Sequence, residues 1–156
     1  MATFTSAQVA SGKVHVPLVA NPGVITAYGE INITANPADG DIYEIVKLPK
    51  GATVVGGYFQ AVDLDTGTEE LDMDIGWAAN GVDAADPDGL GNLGVLTGDA
   101  APNIKPEIGL FKVLGGVLFA TGPKTFGAET TIQVEANAAA ATGGTGKMWI
   151  LIHYVM

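Results

Sequence analysis

Six carboxylates crowd the fifteen residues DLDTGTEELDMDIGW, positions 63–77: Asp63, Asp65, Glu69, Glu70, Asp72 and Asp74. Acids at this density ligate a hard cation, act as a proton-transfer pair, or wet the outer side of a strand that buries its other side. A helix–loop–helix calcium loop needs oxygens at alternating positions, a central glycine and a closing glutamate. In DLDTGTEELD the glycine comes one place early, and leucine stands where a further oxygen ligand belongs. A looser calcium site on Asp63, Asp65 and backbone carbonyls is the one metal arrangement the pattern leaves open. The proton-transfer pair fares worse. Leu71, Met73, Ile75 and Trp77 alternate with Glu70, Asp72, Asp74 and Gly76. That period of two predicts a strand with a core face and an acidic, solvated face. Asp72 and Asp74 on a solvated face are too loosely held to act as a tuned acid and base.

Other reactive residues are sparse. His15 and His153 fall in the first and last alternating segments, where they read as structural or interface side chains. A cupin-like metal site needs two or three histidines and a carboxylate converging inside a barrel. Ser6 and Ser11 both lie near the N-terminus, and there is no cysteine to serve as nucleophile, disulfide partner or thiolate ligand. GGTGK, 143–147, ends in lysine but precedes a strand pattern, so it lacks the helix N-terminus that lets such a loop bind phosphate. Trp77 and Trp149 both read as strand core, which leaves no exposed aromatic platform for a sugar. No cofactor is called for, and the reading is of a protein that is not an enzyme.

The elements that position these residues are strands. Alternating or β-branched runs cover 13–19, 24–34, 42–48, 53–63, 69–77, 107–114, 117–121, 130–136 and 147–156, with NPG, ANPADGD and PKG turns among them. About eight to nine strands without an amphipathic helix predict an all-β, antiparallel β-sandwich of jelly-roll type. Two connections are long: 78–106, glycine-rich and acidic with one helical turn near Leu90–Leu93, and 136–146, which should cross between sheets. Residues 1–12 lack core alternation and carry one large hydrophobe, Phe4. They read as an N-terminal arm, mobile in the free subunit, on a single domain spanning 13–156. The arm could add a strand to a partner, with Thr3, Phe4 and Thr5 as the docking residues.

Composition narrows the partners. Seventeen acids face seven basic residues, all lysine, for a net charge of −10. Without arginine, the favoured residue for bidentate phosphate and guanine contacts, such a chain is repelled by nucleic acid. No uncharged apolar stretch reaches the ~20 residues of a membrane helix. The start has no basic region followed by an apolar run, which predicts folding in a cytoplasm. A mean hydropathy of +0.30 with 15% charged residues predicts apolar surface buried against other subunits.

The run PADGDIYEIVKLPKGATVVGGYFQAVDLDTGTEELDMDIGWAANGVDAADPDG resembles the capsid decoration, or cement, proteins of tailed bacteriophages. The likeness lies in LPKGA leading to VVGG, the LD-G turn, the LDMDIG strand and the AADPD loop, over about residues 36–89. It implies a small β-sandwich, often a jelly roll, that assembles as a trimer on the outer surface of the shell and binds the major capsid protein. The resemblance carries over scaffold residues and no active site. It implies a structural virion protein assembled in the host cytoplasm. Other phage parts (tail, neck or head fibre) and a carbohydrate-binding or cupin-like domain are the alternative readings.

Overall fold

Residues 25–33, ITAYGEINI, alternate between exposed and buried along their length in the computed structural model, which describes residues 1–13, 23–65, 68, 70–95 and 110–156. This strand, β2, is followed by β3 (Ile42–Leu48), β4 (Thr53–Ala61), β5 (Asp72–Trp77), β6 (Asp86–Val95) and β7 (Leu110–Val113). The two-residue β8 (Lys124–Thr125), then β9 (Thr130–Ala136) and β10 (Gly146–Val155) complete the chain, and β1 (Thr3–Thr5) precedes them. Short helices α1 (Ala7–Ala10) and α2 (Val117–Ala120) flank them.

The pairings define the topology. Strand β2 pairs with β10, β3 with β9, β4 with β7 and β5 with β6, all antiparallel. Without β1 and the short β8, the first of eight strands therefore pairs with the last, the second with the seventh, and so on inward. A long hairpin folded over on itself in this way is a jelly roll. Its two sheets run β3-β9-β5-β6 and β2-β10-β4-β7. Strand β1 joins the first sheet, parallel to β3, and β8 joins the second, giving five strands each. We call these sheets I and II. Between them lies one core, in which Tyr43, Ile45, Phe59, Met73, Ile75, Phe126, Ile150 and Tyr154 are wholly enclosed. The antiparallel sandwich of eight to nine strands expected from alternation is the fold observed. As expected, the connection after β9 crosses from sheet I to sheet II.

Three expectations change. Residues 117–121 were expected as a strand, but Val117–Ala120 form α2, with Phe119 81% exposed. A short apolar run has no helix or strand signature of its own. Gly116, at a φ of 57°, turns the backbone, and Leu118 and Phe119 then donate back to the Gly115 and Gly116 carbonyls. The helical turn expected at Leu90–Leu93 is part of β6. The register between β5 and β6 slips between Met73 and Asp74, which leaves Leu93 as the extra residue of a bulge. Leu90 and Leu93 both reach the core three positions apart, so the bulge mimics a helical spacing. Gly94, at a φ of 64°, allows that kink. The third change concerns residues 1–12, expected as a free arm. Their β1 lies along β3, and α1 follows with Val9 buried. His15, nearly all of the proposed strand at 13–19, the end of the 78–106 connection from 96 and the start of the 107–114 run lie outside the described residues.

Candidate functional site

Asp65 is the most constrained of the described carboxylates in this run. Its residue is 1% exposed, and its Oδ2 accepts from the backbone N–H of Glu70 (2.9 Å), Leu71 (3.1 Å) and Ala141 (3.1 Å). Its Oδ1 accepts from Thr142 at 3.0 Å. Burial alone would raise its pKa, but these four N–H donors outweigh it and hold the group down at about 2. Residues 62–71 carry the chain from sheet II to sheet I, and 137–145 carry it back. Asp65 staples the two crossovers together, helped by the bond from Gly144 N–H to the Leu64 carbonyl (2.9 Å). This geometry does not favour the calcium arrangement left open on Asp63 and Asp65. Asp65 is ringed by N–H dipoles whose positive ends occupy the directions a cation would need, and Asp63 accepts the Asp65 N–H at 3.1 Å.

The solvated face of β5 is corrected. Leu71, Met73, Ile75 and Trp77 are buried as the alternation requires, but Asp74 on the other side is only 8% exposed. Strand β5 is internal to sheet I, between β9 and β6, and the chain at 86–87 folds over its outer face. At Gly76 a side chain would collide with the Asp86 carbonyl and Pro87. Asp74 Oδ2 accepts from Asn137 Nδ2 at 2.5 Å. The Oδ1 atoms of Asp72 and Asp74 are enclosed without a partner among the described residues. Burial, opposed by the Asn137 bond and reinforced by the charges of Asp72 and Asp88, raises the Asp74 pKa. Asp86 is likewise raised by burial, then by its hydrogen bond with Asp88 and the Asp88 charge. These acids repel one another. Asp74→Asn is therefore expected to leave stability unchanged or raise it by up to about 1 kcal/mol at neutral pH, with the gain shrinking as pH falls. Thermal melting at pH 7 and pH 4 checks this; a loss of several degrees at pH 7 would mean that the carboxylate serves the fold.

The arm residues are brought to the edge of sheet I. Thr3, Phe4 and Thr5 align with Ile42, Tyr43 and Glu44. The Phe4 ring stacks on Tyr43, with centroids 5.0 Å apart and planes at 13°. Ile42 N–H donates to the Ala2 carbonyl and Ser6 N–H to the Glu44 carbonyl, both at 2.8 Å. Residues 2 and 6 thus pair inward, and by strand parity the backbone groups of Thr3 and Thr5 face the open edge. Buried Asp41 accepts Ala2 N–H at 2.9 Å, and the Ser6 hydroxyl donates to the Ile45 carbonyl at 2.7 Å. Strand β1 is tied to the sandwich at both of its ends.

Sheet II presents a different surface. Trp149, expected in the core, lies on its outer side with Leu151 and His153, because Met148, Ile150 and Ile152 take the inward positions. Tyr28, Leu151, Tyr58 and Val113 stand in register across β2, β10, β4 and β7. His153 Nδ1 meets Thr26 Oγ1 at 3.0 Å, and its ring sits edge-on to Tyr58 at 5.6 Å. The sequence signal for this row was KMWILIHYVM, which is apolar on both of its alternating faces. Charge is divided between the sheets as well. The strands of sheet I carry six acids and one lysine; those of sheet II carry one acid and three lysines. Among the described residues no group of three or more His, Asp or Glu is placed to hold a metal ion.

No protein-family model matches the chain, and no curated protein does. Solved structures do. A chain in the capsid of Ralstonia phage GP4 superposes with a TM-score of 0.73 at 23% identity, over 99% of this chain and 97% of that one. One in the capsid asymmetric unit of cyanophage Pam1 gives 0.66 at 20% identity, over 94% and 95%. One in the acidic stable capsid of Helicobacter pylori bacteriophage KHP30 gives 0.54 at 16%, over 85% and 87%. The jelly roll described above is thus similar in fold to chains in the capsids of three phages.

Proposed function

We propose that this chain is a structural virion protein of a tailed bacteriophage, a decoration or cement protein that binds the outer surface of the head and stabilises it. The observation that carries the reading is the match over 99% of this chain and 97% of its counterpart in the GP4 capsid. The resemblance of residues 36–89 to decoration proteins supports the finer assignment, as does an arginine-free surface of net charge −10, unsuited to the packaged genome. In this reading the subunits self-associate, as trimers, on the major capsid protein after synthesis in the host cytoplasm. An electron-microscopy map of the particle tests it: density for this sandwich outside the shell is expected, and density in the tail, in the neck or inside the head would overturn it.

Thr3, Phe4 and Thr5 then form the docking edge. Phe4 holds the edge from beneath through Tyr43, while the outward N–H and C=O groups of Thr3 and Thr5 accept a partner strand. Proline at position 3 removes one outward donor and leaves the inward pairs of residues 2 and 6 in place. Thr3→Pro is expected to keep the melting temperature within a few degrees and to weaken attachment to heads in co-sedimentation. Unchanged attachment would place docking elsewhere.

A further inference from the structure

The two outer faces of the sandwich are unlike, and the difference selects the surface on which copies meet. We propose that the outer face of sheet II, centred on Tyr28, Leu151, Tyr58 and Val113, is buried against a second copy of this chain. The inference rests on the self-association in the proposed function and adds the face that performs it.

Three observations argue for a second copy as the occupant. The first is charge. Two chains of net charge −10 repel, so they associate only where acids are sparse. Six of the strand acids lie on sheet I and a single one, Glu30, on sheet II. A sandwich is about 10 Å from sheet to sheet, so most of that charge lies a Debye length or more behind a contact made through sheet II. The second is chemistry. The apolar row is exposed at both ends, with Tyr28 46% and Val113 59% accessible. Beside it Lys147 Nζ and Glu30 Oε1 stand 3.2 Å apart, and Tyr28 donates to Glu30 at 2.7 Å. A surface that carries both signs next to an apolar row lets the basic side of one copy meet the acidic side of the next around a three-fold axis, and tyrosine is among the residues that contribute most at such contacts. The third is area. Four strands spaced about 4.8 Å apart, rising about 3.3 Å per residue, span roughly 500 Å² of face. Three such faces turned to a common axis bury roughly 1,500 Å² in all, the scale of a specific contact. Sheet I offers no equivalent, since Asp74 on its outer side is repelled by the charges of Asp72 and Asp88.

The absence of cysteine makes a direct test clean. Light scattering on the purified full chain should give a multiple of 15.9 kDa. Single-cysteine variants Leu151→Cys on sheet II and Lys47→Cys on sheet I report accessibility to a maleimide. The Leu151→Cys thiol is expected to react on the order of tenfold more slowly when assembled than after dilution to subunits, with the Lys47→Cys rate unchanged. The double variant Tyr28→Asp/Val113→Asp, at two exposed positions, should run at 15.9 kDa with wild-type circular dichroism and melting cooperativity. A wild-type chain that stays monomeric at every concentration overturns both the inference and the proposed self-association. An oligomer whose Leu151→Cys thiol is unprotected, or that persists in the folded double variant, overturns the face alone.

Discussion

Asp65→Ala is expected to lower the melting temperature by about 10 °C or more, a larger effect than loss of any other described carboxylate in the 63–77 run. The substitution strands four backbone donors, on Glu70, Leu71, Ala141 and Thr142, inside the protein. Each buried donor left unmade costs about 1–3 kcal/mol, and relaxation of the two crossovers recovers part of it, leaving about 3–5 kcal/mol. At this chain length about 1 kcal/mol corresponds to about 2–4 °C. Asp65→Asn should fall between, because the amide oxygen can still accept while its N–H₂ opposes the remaining donors. Calorimetry of both variants decides the matter; a shift under about 3 °C for Asp65→Ala would mean that the crossovers hold without their staple.

The same carboxylate sets the acid limb of stability. Asp65 and Asp83 are both held at about 2. For Asp83 the causes are the Asn80 side-chain bond, then Lys124, then the Gly127 N–H, against a smaller push from burial. A depressed acid stabilises the fold above its unfolded pKa, and that contribution is lost as pH falls through about 2. Asp74 and Asp86 are raised, with the opposite sign: on moving down from neutral pH the folded state takes up their protons before the unfolded chain does, and stability rises. The melting temperature should therefore pass through a maximum in mild acid and then drop steeply. In Asp65→Ala the final drop should be shallower, since one of the two acids held at about 2 is gone.

Why Asp65 escaped the sequence reading is instructive. Alternation reports which side of a strand a residue occupies, so it recovered most of the long strands and the buried set Leu71, Met73, Ile75 and Trp77. Asp65 lies in a connection, where hydrogen bonding to residues 76 and 77 positions downstream decides its role, and no local pattern carries that information. Asp74 was placed on the correct side of its strand, but whether that side is wet depends on 86–87 folding back over it. Trp149 failed for a related reason. Strand β10 is apolar on both faces, so hydropathy could not say which face was core, and the inward set was fixed only by pairing with β2 and β4. In β6 a bulge altered the period itself. The arm was misjudged because its tether, the Asp41 carboxylate and the Ile45 carbonyl, lies about forty residues away.

Trp77→Asp is expected to be more damaging still, leaving little folded protein at neutral pH. The Trp77 ring closes the end of the core where β5 and β6 meet. It sits edge-on to Phe126 at 5.3 Å, and its Nε1 donates to the Ala84 carbonyl at 2.9 Å. Lys124 Nζ lies 5.2 Å from its centroid while bonded to Asp83 at 2.9 Å. Gly89 is pressed so closely beneath the ring that any side chain there would strike it. Truncating such a ring costs about 3–5 kcal/mol for the cavity alone. The new carboxylate would also lie beside Asp86, the cross-strand neighbour of position 77, whose own ionisation is already disfavoured. Lys124 could turn toward it only by leaving Asp83. A further several kcal/mol for a buried, poorly paired charge brings the total into the range of a whole domain's stability, about 5–15 kcal/mol. Trp77→Phe, which keeps an aromatic ring against Phe126 but loses the Nε1 bond, should cost about 1–3 kcal/mol and fold normally. Because protonation relieves the added charge, Trp77→Asp should regain part of its near-ultraviolet dichroism at pH 4, which separates a charge penalty from loss of the ring. Cooperative melting of Trp77→Asp within a few degrees of wild type at pH 7 would show that this end of the sandwich closes without the indole.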